Sequence, residues 1–145
     1  VIDALNMMRK AGVTIIVNTN RSAANAKGTE DTLRAAGLGE FSHGKDLFLM
    51  GDTPDRSSKD GRRALIAKDY CVLALGGDQL GDFSQHFNDK ALSVADRKAM
   101  AINPKIVHKW GQGWFMLSNP VYGPSIRGGY DEVFPNGKWE PEESK

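Results

Sequence analysis

Four short apolar runs set the main constraint on how this chain folds: Val13–Val17 (VTIIV), Leu47–Met50 (LFLM), Cys71–Leu75 (CVLAL) and Trp114–Leu117 (WFML). Each has strand length, and each is continuously apolar rather than alternating. That pattern belongs to strands covered on both faces, as in parallel sheets. Helical patterns lie between them. Residues 2–11 place Ile2, Leu5 and Met8 on one face, with Met7 beside it, and stop before Gly12. A second helix is expected over 29–36, with Thr29 as its N-cap, Glu30 and Asp31 in its first turn and Gly37 at its end. A third is expected over 58–69. Two weaker ones follow, one after Ser93 with Asp96 three positions on, the other opening at Asn103–Pro104 and stopping at Gly111. Strand and helix alternate, so the fold class is α/β with a mostly parallel sheet. Residues 1–135 form the expected core, and 136–145, polar with three Glu, a tail.

Composition narrows the function classes. At 145 residues with 40% hydrophobic content, the chain is long enough for one well-packed domain and too apolar to be disordered throughout. No run of about 18 apolar residues is present, so no transmembrane helix is expected. Nineteen basic and eighteen acidic residues leave a net charge of +1, and the basic residues are scattered, so no nucleic-acid polymer is expected as a partner. The single cysteine, Cys71, excludes a disulfide framework and a Cys-rich zinc site; opening an apolar run, it reads as a small core residue. His43, His86 and His108 have no metal-like spacing. The chain opens at Val1 directly in a helical pattern, which leads us to expect a preceding segment.

Open parallel sheets bind ligands at the carboxyl ends of their strands. After the first run comes Asn18-Thr19-Asn20-Arg21, in which a hydroxyl, two amides and a guanidinium suit an oxyanion; it also reads as a polar loop capping the next helix. After the third comes Gly76-Gly77-Asp78-Gln79-Leu80-Gly81-Asp82-Phe83. Its two carboxylates are hard oxygen donors suited to Mg²⁺, or turn residues that cap a helix. Ser57-Ser58-Lys59, followed by Arg62 and Arg63, puts an ammonium at a helix start, where the dipole favours anions; a solvated lysine is the plain alternative. After the fourth run, Ser118-Asn119-Pro120-Val121-Tyr122-Gly123-Pro124 is a stiff loop presenting Tyr122, either to stack on a flat ligand or to pack under the loop. No GxxxxGK[ST], GxGxxG or GxSxG motif is present.

Taken in order, VNTNR at 17–21, SSKDGRR at 57–63, GGDQLGDF at 76–83 and FMLSNPVYG at 115–123 resemble the later motifs of the haloacid dehalogenase (HAD) phosphatases. Within that superfamily they resemble the class C acid phosphatases, bacterial lipoprotein enzymes with 5′-nucleotidase activity. The resemblance implies a HAD-like Rossmannoid three-layer sandwich and a Mg²⁺-dependent phosphomonoesterase acting on nucleoside 5′-monophosphates through an aspartyl phosphate. It implies that Thr19 binds phosphate, that Lys59 offsets phosphate and nucleophile charge, and that Asn20 and Arg21 flank the phosphate. Asp78 would ligate Mg²⁺, Asp82 would be a second ligand or a partner to metal-bound water or Lys59, and Tyr122 would stack on the nucleoside. A periplasmic, outer-membrane or secreted location and a possible homodimer follow from the same resemblance. One departure matters: the family's first motif, Asp-x-Asp-x-Thr, has no counterpart here. In HAD-like sheets its strand is central, between those at 13–17 and 71–75, so a further segment or a second chain is expected to complete the sheet. A phosphate-binding module without turnover, and an α/β domain whose loops are only turns, are the other readings.

Overall fold

Leu47, Phe48 and Leu49 are the best-buried run among the described residues, at 0%, 6% and 0% exposure, and the first half of the chain is built around them. The computed structural model describes residues 1–119 together with Gly123, Gly128, Gly129 and Glu132. The chain divides into two units, Val1–Cys71 and Val72–Lys145. The first contains α1 (Ile2–Lys10), β1 (Val17–Ser22), α2 (Ala26–Ala35), β2 (Leu47–Met50) and α3 (Asp60–Asp69). The second contains β3 (Leu75–Gly77), α4 (Val94–Ala101), α5 (Pro104–Val107) and β4 (Trp114–Met116), with short 3-10 turns at Leu80–Asp82 and Gln85–Asn88.

In the first unit β1 runs parallel to β2, with Val17 opposite Leu47 and Asn18 opposite Phe48. Phe41, Leu47 and Leu49 form the core, and Ile15, Val17, Ala23, Ala26, Leu33 and Leu38 pack on it. The first strand therefore begins where the sequence pattern ends, at Val17 rather than Val13. A strand needs a hydrogen-bonding neighbour as well as apolar side chains, and β2 offers one only from the Val17 amide, which donates to the Asp46 carbonyl at 2.9 Å. The second helix also starts earlier than expected. Thr29 is no N-cap: it is buried inside α2, its hydroxyl donating to the Asn25 carbonyl at 3.1 Å. α1 buries none of its residues; Arg9 ties it to the loop after α2 by donating to the Leu38 carbonyl at 2.5 Å.

In the second unit β3 runs parallel to β4, with Leu75 opposite Trp114 and Gly77 opposite Met116. Phe83 is 3% exposed, and its ring lies 5.0 Å from that of Trp110 and 5.3 Å from that of Trp114. Arg97 of α4 is buried and donates to the Phe87 carbonyl at 2.9 Å. Ser93 and Asp96 form the expected capping box, and Asn103 caps α5 with Pro104 in its first turn. The third strand is displaced from Cys71–Leu75 to Leu75–Gly77, because β4 supplies pairing only there. Cys71 is exposed rather than a core residue. Val72, Leu73, Phe115, Met116 and Leu117 are each between 42% and 67% exposed, so these runs are apolar without being covered. The parallel pairing holds as expected, and it is distributed over two two-stranded sheets among the described residues.

Candidate functional site

Thr19, Asn20 and Arg21 occupy the second half of β1 rather than a loop beyond it. Their geometry is governed by a residue that sequence spacing marked only as a basic neighbour of Lys59. Arg62, in the first turn of α3, is 0% exposed. Its guanidinium donates to the Thr19 carbonyl at 2.5 Å, the Asn20 Oδ1 at 2.5 Å and the Ser58 carbonyl at 3.2 Å. Asn20 completes the tie by donating to the Ser57 carbonyl at 2.9 Å, and the Asn18 amide reaches the Lys59 carbonyl at 3.4 Å. The C-terminal end of β1 and the turn entering α3 are thus stitched together, and with them the backbones that carry Thr19 and Lys59. The Thr19 hydroxyl accepts from the Arg21 amide at 3.3 Å, a local turn bond. Burial pushes the Arg62 pKa below its ordinary value, while the negative charges of Asp55 and Asp52 oppose that shift. Asp55 itself caps α3, accepting from the Gly61 amide at 2.9 Å. Its pKa is lowered chiefly by the Thr53 hydroxyl, then by that amide.

In the second unit, Asp78 and Asp82 follow β3, and their environments differ. One oxygen of Asp82, Oδ2, turns back to accept from the amides of Asp78 and Gln79 at 3.0 and 3.1 Å, with the Gln79 side chain closing a reciprocal capping box. Asp78 Oδ2 accepts from the Asn119 side-chain amide at 2.7 Å. Asn119 was not singled out from the sequence, although it satisfies the same rule as Asp78: it lies just past the end of a parallel strand. Tyr122 falls outside the described residues.

Gly77 is what allows Asp82 to fold back. A Cβ built there would lie 2.5 Å from both Asp82 Cβ and Asp82 Oδ2, and Cβ is not the free end of a flexible chain. Gly77→Ala is therefore expected to destabilise the protein by about 1–3 kcal/mol, the usual range for overpacking. A denaturant melt of the complete protein checks this; an unchanged midpoint would show that the turn relaxes without cost.

A Mg²⁺ ion asks for several hard oxygen donors in near-octahedral array. Asp78 fits as one such donor, half-buried at a strand end. No group of three or more His, Cys, Asp or Glu side chains among the described residues is arranged to hold a metal. Asp82 lends an oxygen to the turn. Among the described residues, Asp78 and Asp82 therefore supply only part of the donor set such an ion would need.

The profile of the HAD superfamily subfamily IIIB (acid phosphatase) matches residues 1–125. The chain is also similar to the class C acid phosphatase of Bacillus anthracis, with 26% identity and a TM-score of 0.70 over 86% of this chain and 49% of that one. A second structure of a class C acid phosphatase from Bacillus anthracis, with tungstate bound, is 26% identical with a TM-score of 0.71, over 92% of this chain and 53% of that one. The sequence thus spans about half the length of these solved chains. No curated protein sequence is significantly similar to it.

Proposed function

The chain belongs to the acid phosphatases of HAD superfamily subfamily IIIB, and from that membership we propose that it forms the later half of a Mg²⁺-dependent phosphomonoesterase whose substrates are nucleoside 5′-monophosphates. The observation that carries this reading is the family match over residues 1–125. Likeness to a class C acid phosphatase that binds tungstate, an oxyanion with the tetrahedral form of phosphate, adds to it. In this proposal Thr19 donates its hydroxyl to a phosphate oxygen, with Asn20 and Arg21 flanking it. Lys59 offsets the charge that spreads over the phosphoryl oxygens in the transition state. Asp78 ligates Mg²⁺, Asp82 supports it, and Tyr122 stacks on the nucleoside. Mg²⁺, when bound, neutralises part of the phosphoryl charge. The nucleophile is an aspartate of an Asp-x-Asp-x-Thr motif, which these 145 residues do not contain. Its carboxylate oxygen bonds to phosphorus as the ester P–O bond breaks and the nucleoside leaves as its alcohol, protonated by the acid/base Asp of that motif. Water then attacks phosphorus to release phosphate and restore the carboxylate.

The stitched junction of β1 with the entry to α3 supports the pairing of Thr19 with Lys59, since a hydroxyl and an ammonium that serve one phosphoryl group need backbones held in fixed relation. The proposal also includes a further parallel strand that completes the sheet, from another segment of the protein or from a second chain, and a location in the periplasm, at the outer membrane or outside the cell. The complete protein, assayed against nucleoside 5′-monophosphates and simple aryl phosphates, should release inorganic phosphate, lose activity to a chelator and regain it with Mg²⁺. Phosphate binding without turnover would favour the binding-module reading instead, and neither binding nor turnover would defeat both.

A further inference from the structure

Arg62 is costly for the fold alone. A guanidinium at 0% exposure has left water for acceptors that are all neutral, two carbonyl oxygens and one amide oxygen. Its Nε is buried without a hydrogen-bond partner among the described residues. A buried cation so placed contributes little net stability, and an apolar side chain of similar volume is often as good or better. What an apolar residue cannot do is span three fixed acceptors at once. The planar fork of arginine can, and here its acceptors lie on two different elements. Thr19 and Asn20 belong to β1, while Ser58 stands in the turn just before Lys59 and α3.

We propose that Arg62 is a positioning residue: its guanidinium fastens the Thr19–Asn20 stretch of β1 to the Ser57–Lys59 turn, and so holds the phosphate-binding hydroxyl and the charge-offsetting ammonium in fixed relation. This rests on the reading of Thr19 and Lys59 given above and assigns a role to a residue that touches neither substrate nor metal. Asn20 works with it, accepting from Arg62 and donating to Ser57, so the tie is a closed loop of hydrogen bonds rather than one contact. Misplacing a positioned group by about 1 Å costs about 10²-fold in rate.

The test uses the complete enzyme with Arg62→Lys and Arg62→Ala, each checked by thermal melt, and inorganic phosphate as a competitive probe. In folded Arg62→Lys, kcat/KM is expected to fall about 10²-fold, with weaker inhibition by phosphate, because one ammonium cannot span the three acceptors. Added guanidinium is expected to restore part of the activity of Arg62→Ala and none of that of Lys59→Met. A purely structural arginine would change the folded fraction and leave the phosphate inhibition constant of the folded enzyme as it was. That outcome overturns the proposal, and so does failure of both variants to fold. If Thr19→Ala and Lys59→Met themselves leave turnover intact, the phosphate-site reading fails first and the inference falls with it.

Discussion

Replacing Lys59 by Met in the complete enzyme is expected to lower turnover by about 10²–10³-fold, the usual loss when one preorganised charge stabiliser is removed, with the fold retained. The fold should survive because two bonds that tie Lys59 to its surroundings run through its backbone. Its carbonyl accepts from the Asn18 side chain and from the Arg63 amide, and a substitution leaves both bonds in place. Lys59 is half-buried and is the residue that precedes the first turn of α3, where the helix dipole disfavours a cation. Removing that charge therefore relieves an unfavourable interaction with the helix dipole. Steady-state turnover and a thermal melt of the same preparation check both halves of the expectation. Near-normal turnover in a folded variant would remove Lys59 from the site.

Residues 1–145 purified alone are expected to show no cooperative thermal transition as a monomer. The grounds lie in the sheets. β1 has β2 as its pairing partner and β3 has β4, with two strands in each sheet among the described residues. A two-stranded pair is marginal in water unless a helix or a further strand packs on it, as α2 does on the β1–β2 core through Ala26 and Leu33. Open strand edges present unpaired N–H and C=O groups. Val72 and Leu73 beside β3, and Phe115, Met116 and Leu117 at β4, are substantially exposed, although such continuous apolar runs suit strands covered on both faces. With net stabilities of only about 5–15 kcal/mol for ordinary domains, leaving that much apolar surface and that many backbone groups uncovered should be enough to prevent independent folding. The measurement is a melt combined with amide exchange, with and without the segment or chain that supplies a further strand. A cooperative transition of the isolated chain, with protected amides at both Val17 and Leu75, would show that no further strand is needed and would weaken the proposed architecture at its centre.

Much of the organisation was legible in local sequence because it depends on local chemistry. The capping box of Ser93 and Asp96 and the Asn103–Pro104 helix start need only neighbours three or fewer positions away. The parallel α/β class followed from continuous apolar runs alternating with helices, and β2 was found with its bounds intact because its side chains are buried as the pattern requires. The ordered set of motifs at 17–21, 57–63, 76–83 and 115–123 identified the family that the profile match then established over residues 1–125.

Other features depended on partners or turn geometry that local sequence patterns do not specify. Where β1 and β3 begin was set by where β2 and β4 offer hydrogen bonds, so each strand slid toward the carboxyl end of its apolar run. Thr29 looked like a helix cap, but the chain was already helical before it, and its hydroxyl turned inward to Asn25. Asp82 resembled a ligand by spacing, and the close approach allowed by Gly77 folded one of its oxygens onto the turn. Arg62 carried no local sign of burial; its acceptors at positions 19 and 20 stand 43 and 42 residues away. The order and type of most secondary elements, the family and the residue types at each strand end could be read from the chain alone, because these rest on periodicity, motif order and short-range hydrogen bonding. Tertiary structure alone decided which backbone groups found partners and which charged side chain was drawn into the interior to join two elements, because a hydrogen bond exists only where packing brings its second atom.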